Sequence, residues 1–347
     1  MTLIATRITD LVRNNPGLDS RILRQARYGL LDAALSGSTA PNSVISAKAQ
    51  MDFQDAIGHT YKVPVINLNT GVTISSTRAV TISDAENTSA LQTITPTIAA
   101  WGYTMTPMAM YNNYIDYQRD WNAKFLAGLY NCAAAINAAV GTALNTNKSQ
   151  AITDNLGYTV TSDVVISPTA SQENILGDLS VMLHSDNYGF GMNYLIGNGG
   201  VESLVNQLLK YNQANEKDLR REHGDKILNF DNSITNGTGH KATGYIVEEG
   251  AVGLLTRVAN EARFNMETKS GRMFTTFQLP ILNRQAEYYF YDDVVDASSL
   301  VGAASAHLTR TPQEFHGFSI EYAVVTPYVE TIATDATPII KFAITTA

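Results

Sequence analysis

Residues 112–147 read NNYIDYQRDWNAKFLAGLYNCAAAINAAVGTALNTN, a run without a proline. Its apolar side chains fall at Ile115, Phe125, Leu129, Cys132, Ile136, Val140 and Ala143, mostly three and four apart. That spacing lines one face of an α-helix. Asp116, Arg119 and Asp120 mark its polar first turns. At 1.5 Å per residue the helix would be roughly 50 Å long, more than a small domain needs. Helices of this length are coiled coils, membrane spans or the spine of an elongated molecule. No heptad is sustained, and no run of about 18 consecutive apolar residues is present. The spacing therefore predicts a spine, with Gly128 and Gly141 as places where it could bend.

Upstream of the spine the pattern is β. Val63, Val65 and Asn67 lead to a turn at Thr70-Gly71; Val72-Thr73-Ile74 and Val80-Thr81-Ile82 alternate apolar and polar positions. Ser83 to Ser89 makes a polar loop tip, and Leu91 to Thr106 returns as a Thr-rich strand. The whole is a long two-stranded excursion, marginal alone and in need of something to lie on. Before it, residues 1–36 read as two short helices broken at Asn14-Asn15-Pro16-Gly17, the second carrying Ile22, Leu23, Ala26, Leu30 and Leu31 and ending at Ser36-Gly37-Ser38. A polar connector leads on to Met51-Asp52-Phe53.

Downstream, residues 158–300 read as mixed α/β. Strands are expected at Val164-Val165-Ile166, Tyr194-Leu195-Ile196-Gly197, Ile246-Val247, Gly253-Leu254-Leu255 and Phe274 to Phe277. One helix should open at Ser167-Pro168-Thr169 and run to about His184, and another should run from Gly200 to Tyr211. The tail, 316–346, alternates again as β.

Charged residues make up 16% of the 347-residue chain, against roughly 25% in ordinary soluble domains. Such a surface suits a protein largely covered by neighbouring copies. The net charge of −8 argues against nucleic-acid binding by the whole molecule. Residues 1–30, however, carry Arg7, Arg13, Arg21, Arg24 and Arg27 against Asp10 and Asp19, a segment of +3 on a remainder of −11. An acidic partner or an inward-facing position would account for it. The single cysteine, Cys132, cannot form an intrachain disulfide and lies in a small-residue helical stretch, where packing is its expected role. No apolar signal core follows the N-terminal basic residues, so synthesis and initial residence in the cytoplasm are expected.

Chemical motifs are sparse. His59, His184, His223, His240, His307 and His316 include no i,i+4 pair, and there is no Cys-x-x-Cys. Gly189-Phe190-Gly191 has Tyr194 where a dinucleotide fingerprint has its third glycine. Gly197-Asn198-Gly199-Gly200 lacks the Lys-Ser/Thr of a phosphate loop and reads as a tight strand-to-helix turn. The pairs Glu248-Glu249 and Asp292-Asp293 read as solvated turns, because neighbouring strand carboxylates face opposite ways. The sign-balanced run Lys217 to Lys226 reads as an exposed loop. No catalytic, cofactor-binding or metal residue is assigned, and the chain is read as a structural protein, not an enzyme.

The order of these elements resembles the HK97-like major capsid protein of tailed bacteriophages over nearly the whole chain. The likeness lies in the arrangement and in runs such as Thr93-Ile94-Thr95-Pro96-Thr97-Ile98 and Trp101 to Pro107, not in a short motif. The resemblance implies an α+β fold with five parts. Residues 1–54 would form an N-terminal arm, 55–105 an extended E-loop, and 106–158 the first part of a peripheral domain containing the spine. Residues 159–310 would form an axial domain and 311–347 the peripheral C-terminal strands. It also implies self-assembly into hexamers and pentamers around double-stranded DNA, portal and other head proteins as partners, non-specific DNA contact by the arm, no membrane, and a place in the virion after assembly in the host cytoplasm. The arm begins near Met1, so a scaffolding protein is expected to be separate. Some members crosslink a loop lysine to an asparagine; the loop here offers only Lys62, near its base, and the crosslink is not carried over. An encapsulin-like compartment shell shares the fold and stays open as a reading. A tail-tube protein has no use for so long a helix, and a cytoplasmic α/β enzyme lacks a convergent set of chemical residues.

Overall fold

The structure, a computed structural model, describes residues 28–56, 60–66, 89–106, 114–211, 222–223, 226–258, 273–280, 282–296, 310–329 and 335–346. It begins with helices α1 (Gly29–Gly37) and α2 (Ala47–Asp55), then strands β1 (Tyr61–Ile66), β2 (Ser89–Ile94) and β3 (Thr97–Met105). The long helix α3 follows (Tyr114–Thr146), then β4 (Thr159–Thr161) and β5 (Val164–Ser167). Next come α4 (Ile175–Ser185), β6 (Asn193–Gly197), α5 (Gly199–Tyr211), β7 (Glu222–His223), β8 (Lys226–Phe230), β9 (His240–Glu248) and β10 (Gly253–Arg257). The chain ends through β11 (Met273–Leu279), β12 (Arg284–Asp296), β13 (Arg310–Val325) and β14 (Ile339–Thr345). The architecture is α+β.

The spine is one helix of 33 residues, unbroken at Gly128 and Gly141. Phe125, Leu129, Ile136 and Val140 are fully buried, as the periodicity requires, and Trp121 joins them. By length and composition α3 could also cross a membrane. In this fold its apolar stripe lies against protein. Gly128 is a seat, not a hinge: a Cβ there would lie 2.1 Å from Trp101 Cδ1, so only glycine lets the helix cross the Trp101 ring at this distance.

The described strands form three sheets. β1 and β2 form a two-stranded antiparallel ribbon, with Tyr61 opposite Ile94 and Ile66 opposite Ser89. The tip of the excursion, 67–88, lies outside the described residues. The return strand is not continuous: it breaks at Thr95-Pro96, and β3 crosses into a second sheet, where it pairs with β13. That five-stranded sheet also contains β10, β12 and β11. Its inner face presents Tyr288, Phe318 and Ile320 to the first half of α3. The third sheet has the order β4-β5-β14-β9-β6-β8-β7. Alternate residues of its strands serve two cores. Leu195, Ile246 and Phe342 face α4 and α5, while Tyr194, Ile196, Val247 and Ile339 join the core of α1 and α3. Burial on both faces explains the unbroken apolar run of β6.

Several expectations change. β10, β11 and β12, placed by sequence with the α/β region, join the sheet of β3 and β13 instead: β10 and β12 pair with β13, and β11 with β12. β14, expected among the peripheral C-terminal strands, lies between β5 and β9. Asp292-Asp293 is not a turn; both residues extend β12, because the 16-residue β13 offers a partner along its length. The helix expected from Pro168 opens as a 3-10 turn at Thr169–Ser171 and becomes α-helical only at Ile175. There the Thr169 hydroxyl donates to Thr345 O at 2.8 Å, tying the turn to β14. The end of the polar connector and Met51–Phe53 together form helix α2, capped by Ser46, whose Oγ accepts from Ala49 N at 3.0 Å. The N-terminal break and the arginines of residues 1–27 lie outside the described residues.

Helix α1 is locked into the body by remote side chains. Tyr28 provides no side-chain cap. Instead Asp231 Oδ2 accepts from Leu30 N at 3.0 Å and Asn137 Oδ1 from Leu31 N at 2.9 Å. Both acceptors are 1% exposed. They satisfy donors that a helix start leaves orphaned, and the carboxylate sits at the favourable end of the helix dipole.

Candidate functional site

The described histidines do not converge. His184 stacks on Phe190, with ring centroids 5.5 Å apart, and its Nε2 lies 2.8 Å from Gly189 O. His223 and His240 lie on β7 and β9, and His59 and His307 fall outside the described residues. Among the described residues no group of three or more His, Cys, Asp or Glu side chains could hold a metal.

His316 is the exception in its setting. It is buried where β13 meets the start of α3. Its Nδ1 lies 2.8 Å from the Tyr288 hydroxyl and its Nε2 3.4 Å from Glu314 Oε2. The Tyr117 hydroxyl of α3 donates to the same Glu314 oxygen. Asp292 stands directly opposite Glu314 in the β12–β13 register. Burial, then the Glu314 charge, raise the Asp292 carboxyl above its ordinary range, with His316 opposing. The cluster pins the spine to the sheet; it borders aromatic rings, not a cleft, and nothing in it is poised as a nucleophile.

The Gly197–Gly200 turn is filled by the chain itself. Asn198 Oδ1 accepts from Gly200 N at 3.1 Å and from Thr243 N at 3.3 Å, occupying the start of α5. A Cβ on Gly200 would lie 2.2 Å from Lys241 O. The glycines are there for close packing of backbone on backbone. Glu248 ends β9 and Glu249 enters the turn that follows. Most of the Lys217–Lys226 run lies outside the described residues.

A groove of about 800 Å³ runs between α2 and the five-stranded sheet, lined by Gln50, Gln54, Gln278, Asn283, Arg284 and Gln285 among others. Arg284 Nε is buried there without a hydrogen bond, and burial lowers its guanidinium below the ordinary range. The neighbouring Arg257 is engaged: it pairs with Glu321, donates to Ala56 O at 2.9 Å and lies over the Phe53 ring. Amides, the two arginines and Asp55 make a polar surface.

Large apolar side chains are exposed at several places, Met51 on α2 (64%) among them. Leu91 (63% exposed) and Ile98 (59%) lie on β2 and β3; Phe190 (73%) and Val181 (48%) lie around α4. Cys132 is buried on α3, and burial pushes its thiol up to about 12, far from a reactive state. Sequence reading missed Trp101 and Trp121, which build the contact between spine and sheet. Only the register of β3 on β13 brings Trp101 over Phe318, with stacked rings 5.1 Å apart.

No family model matches this chain, and no curated protein is similar to it. Among solved structures, one from Mycobacterium phage Che8 is 7% identical, covers 86% of this chain and 88% of its own, and superposes with a TM-score of 0.46. The cyanophage Pam1 capsid asymmetric unit is 8% identical over 85% and 88% of the two chains, with a TM-score of 0.46. The head structure of Helicobacter pylori bacteriophage KHP40 is 9% identical over 87% of each, with a TM-score of 0.39.

Proposed function

We propose that this chain is a structural shell subunit, the major capsid protein of a tailed bacteriophage with an HK97-like fold. The observation that carries the reading is the β1–β2 ribbon. It leaves the body as a sheet of its own, six residue pairs long before the chain continues into 67–88. Leu91 is exposed on it. A two-stranded ribbon is marginal in water and is completed by a surface it lies on. A neighbouring copy supplies that surface, so the function resides in subunit contacts and not in a chemical site. The single spine helix that ties two sheets together is the rigid body such contacts need.

In this reading the copies form hexamers and pentamers, and the shell encloses double-stranded DNA in the virion after assembly in the host cytoplasm. A separate scaffolding protein, a portal and other head proteins are its partners. The basic residues 1–30 face the interior, where DNA or an acidic scaffold lies. Catalysis has no part in it. Electron microscopy of the purified protein tests the reading: closed shells or hexameric capsomers are expected, and a uniformly monomeric protein at high concentration would refute it. The contents of shells isolated from cells separate a genome-filled head from an enzyme-filled compartment.

A further inference from the structure

Strand β3 has a partner on one side only. Met105 to Thr97 pair with Glu314 to Tyr322 of β13, and among the described residues no strand lies along the other side. Soluble proteins guard such edges with charged side chains, bulges or an internal proline. Here no side chain between Glu86 and Asp116 carries a charge, and Pro96 lies just outside the strand. Lys124 Nζ donates to Thr104 O at 3.2 Å and covers the Met105 end, which leaves Thr97–Tyr103 as the open stretch. The residues of β3 that face away from α3 are exposed, Ile98 at 59%. The helix beside the strand is equally bare of charge: after Lys124 the next charged residue is Lys148, and the exposed positions between include Ala127, Asn131, Ala135 and Ala138.

We propose that the β3 edge pairs antiparallel with β3 of a second copy across a two-fold axis at Ala100. Charge selects the occupant. The chain carries −8 overall, so two copies repel over most of their surfaces. The uncharged edge and helix flank is where they approach without that repulsion, and a partner recognised by charge finds nothing here to read. One edge meeting itself is an isologous contact, which closes as a dimer and does not propagate. Centred on Ala100, the pairing sets Ile98 of one copy against Gly102 of the other. The exposed side chain then covers the position that has none. Directly opposed residues have Cβ atoms about 4.5–5.5 Å apart. The inference deepens the shell reading and rests on it for the supply of neighbouring copies.

The test is thiol crosslinking in Ala100→Cys, with Val181→Cys as an exposed control on α4; Cys132 is buried and silent. A short bismaleimide is added to the full chain, and crosslinked peptides are identified by mass spectrometry. A dimer joined through residue 100 of both copies, absent from the control, is the expected result. Ala100→Lys should lose that association while keeping its melting temperature. Shells that form without any residue 100 crosslink, a control that crosslinks equally well, or normal pairing in Ala100→Lys would overturn the inference and leave the shell reading standing. Failure to form shells, with the residue 100 dimer still present, would overturn the shell reading and leave the pairing.

Discussion

At the residue scale, the contacts that matter are those in which one side chain has a single permitted neighbour. Gly128→Ala adds a methyl where the Trp101 ring already lies. The gain in helix propensity is about 1 kcal/mol, but overpacking costs about 1–3 kcal/mol, so net destabilisation is expected in denaturant titration. Trp101→Leu in the same background should recover part of it. Ile136 is fully buried in the core between α1 and α3. Ile136→Asp leaves a charge there without a partner, and insoluble protein is expected on expression, whereas exposed Arg119→Ala should leave solubility and melting unchanged. Asp292 gives a pH signature. Its folded-state carboxyl titrates above the ordinary range. Its protonated form therefore favours the fold below the ordinary carboxylate range, and that contribution is lost as pH rises through the raised value. Asp292→Asn should raise the melting temperature at pH 7, little at pH 3, and less in high salt, because the side chain is exposed. An equal gain at both pH values would remove burial of the charge and the Glu314 repulsion as its causes.

At the element scale, the ribbon and the spine divide the work. The spine holds its place through both sheets. Its first half packs on β13, and its last turn meets β14 through Lys341 Nζ, which donates to Asn145 Oδ1 at 2.8 Å. The ribbon contributes little to the body beyond its root, where Ile94 packs with Phe53, Leu255 and Val325. Replacing 67–88 by a two-residue turn keeps this root. The expected product is a monomer with unchanged thermal unfolding that no longer assembles, read by sedimentation and microscopy. Normal shells from the deletion would show that the ribbon is not the assembling element.

At the scale of the whole molecule, charge is the organising quantity. The surface is poor in charged residues, and the +3 segment of residues 1–30 stands against a −11 remainder. Changing Arg21, Arg24 and Arg27 to Gln removes all of that excess. Folding should be unaffected by circular dichroism, while assembly or genome packaging falls, with a weaker dependence on salt than in the parent. Ready cleavage of this segment by protease on the outside of intact shells would contradict an inward-facing position.

Sequence alone determined the spine, its buried positions Phe125, Leu129, Ile136 and Val140, strands at 164–166, 194–197 and 253–255, each within a residue or two of the observed ends, and the scarcity of chemical motifs. Each of these is a local pattern, because a helix face or a strand pleat repeats within a few residues. The candidate edge was legible only as an uncharged stretch. What only the tertiary structure decided is partnership. β3 meets β13 from more than two hundred residues away, β14 enters the other sheet, and Gly128 is required by Trp101, not by its own helix. Asn137 and Asp231 cap a helix far from both in the chain. Such pairings depend on register and side-chain fit between distant segments, which leave no periodic trace in either one.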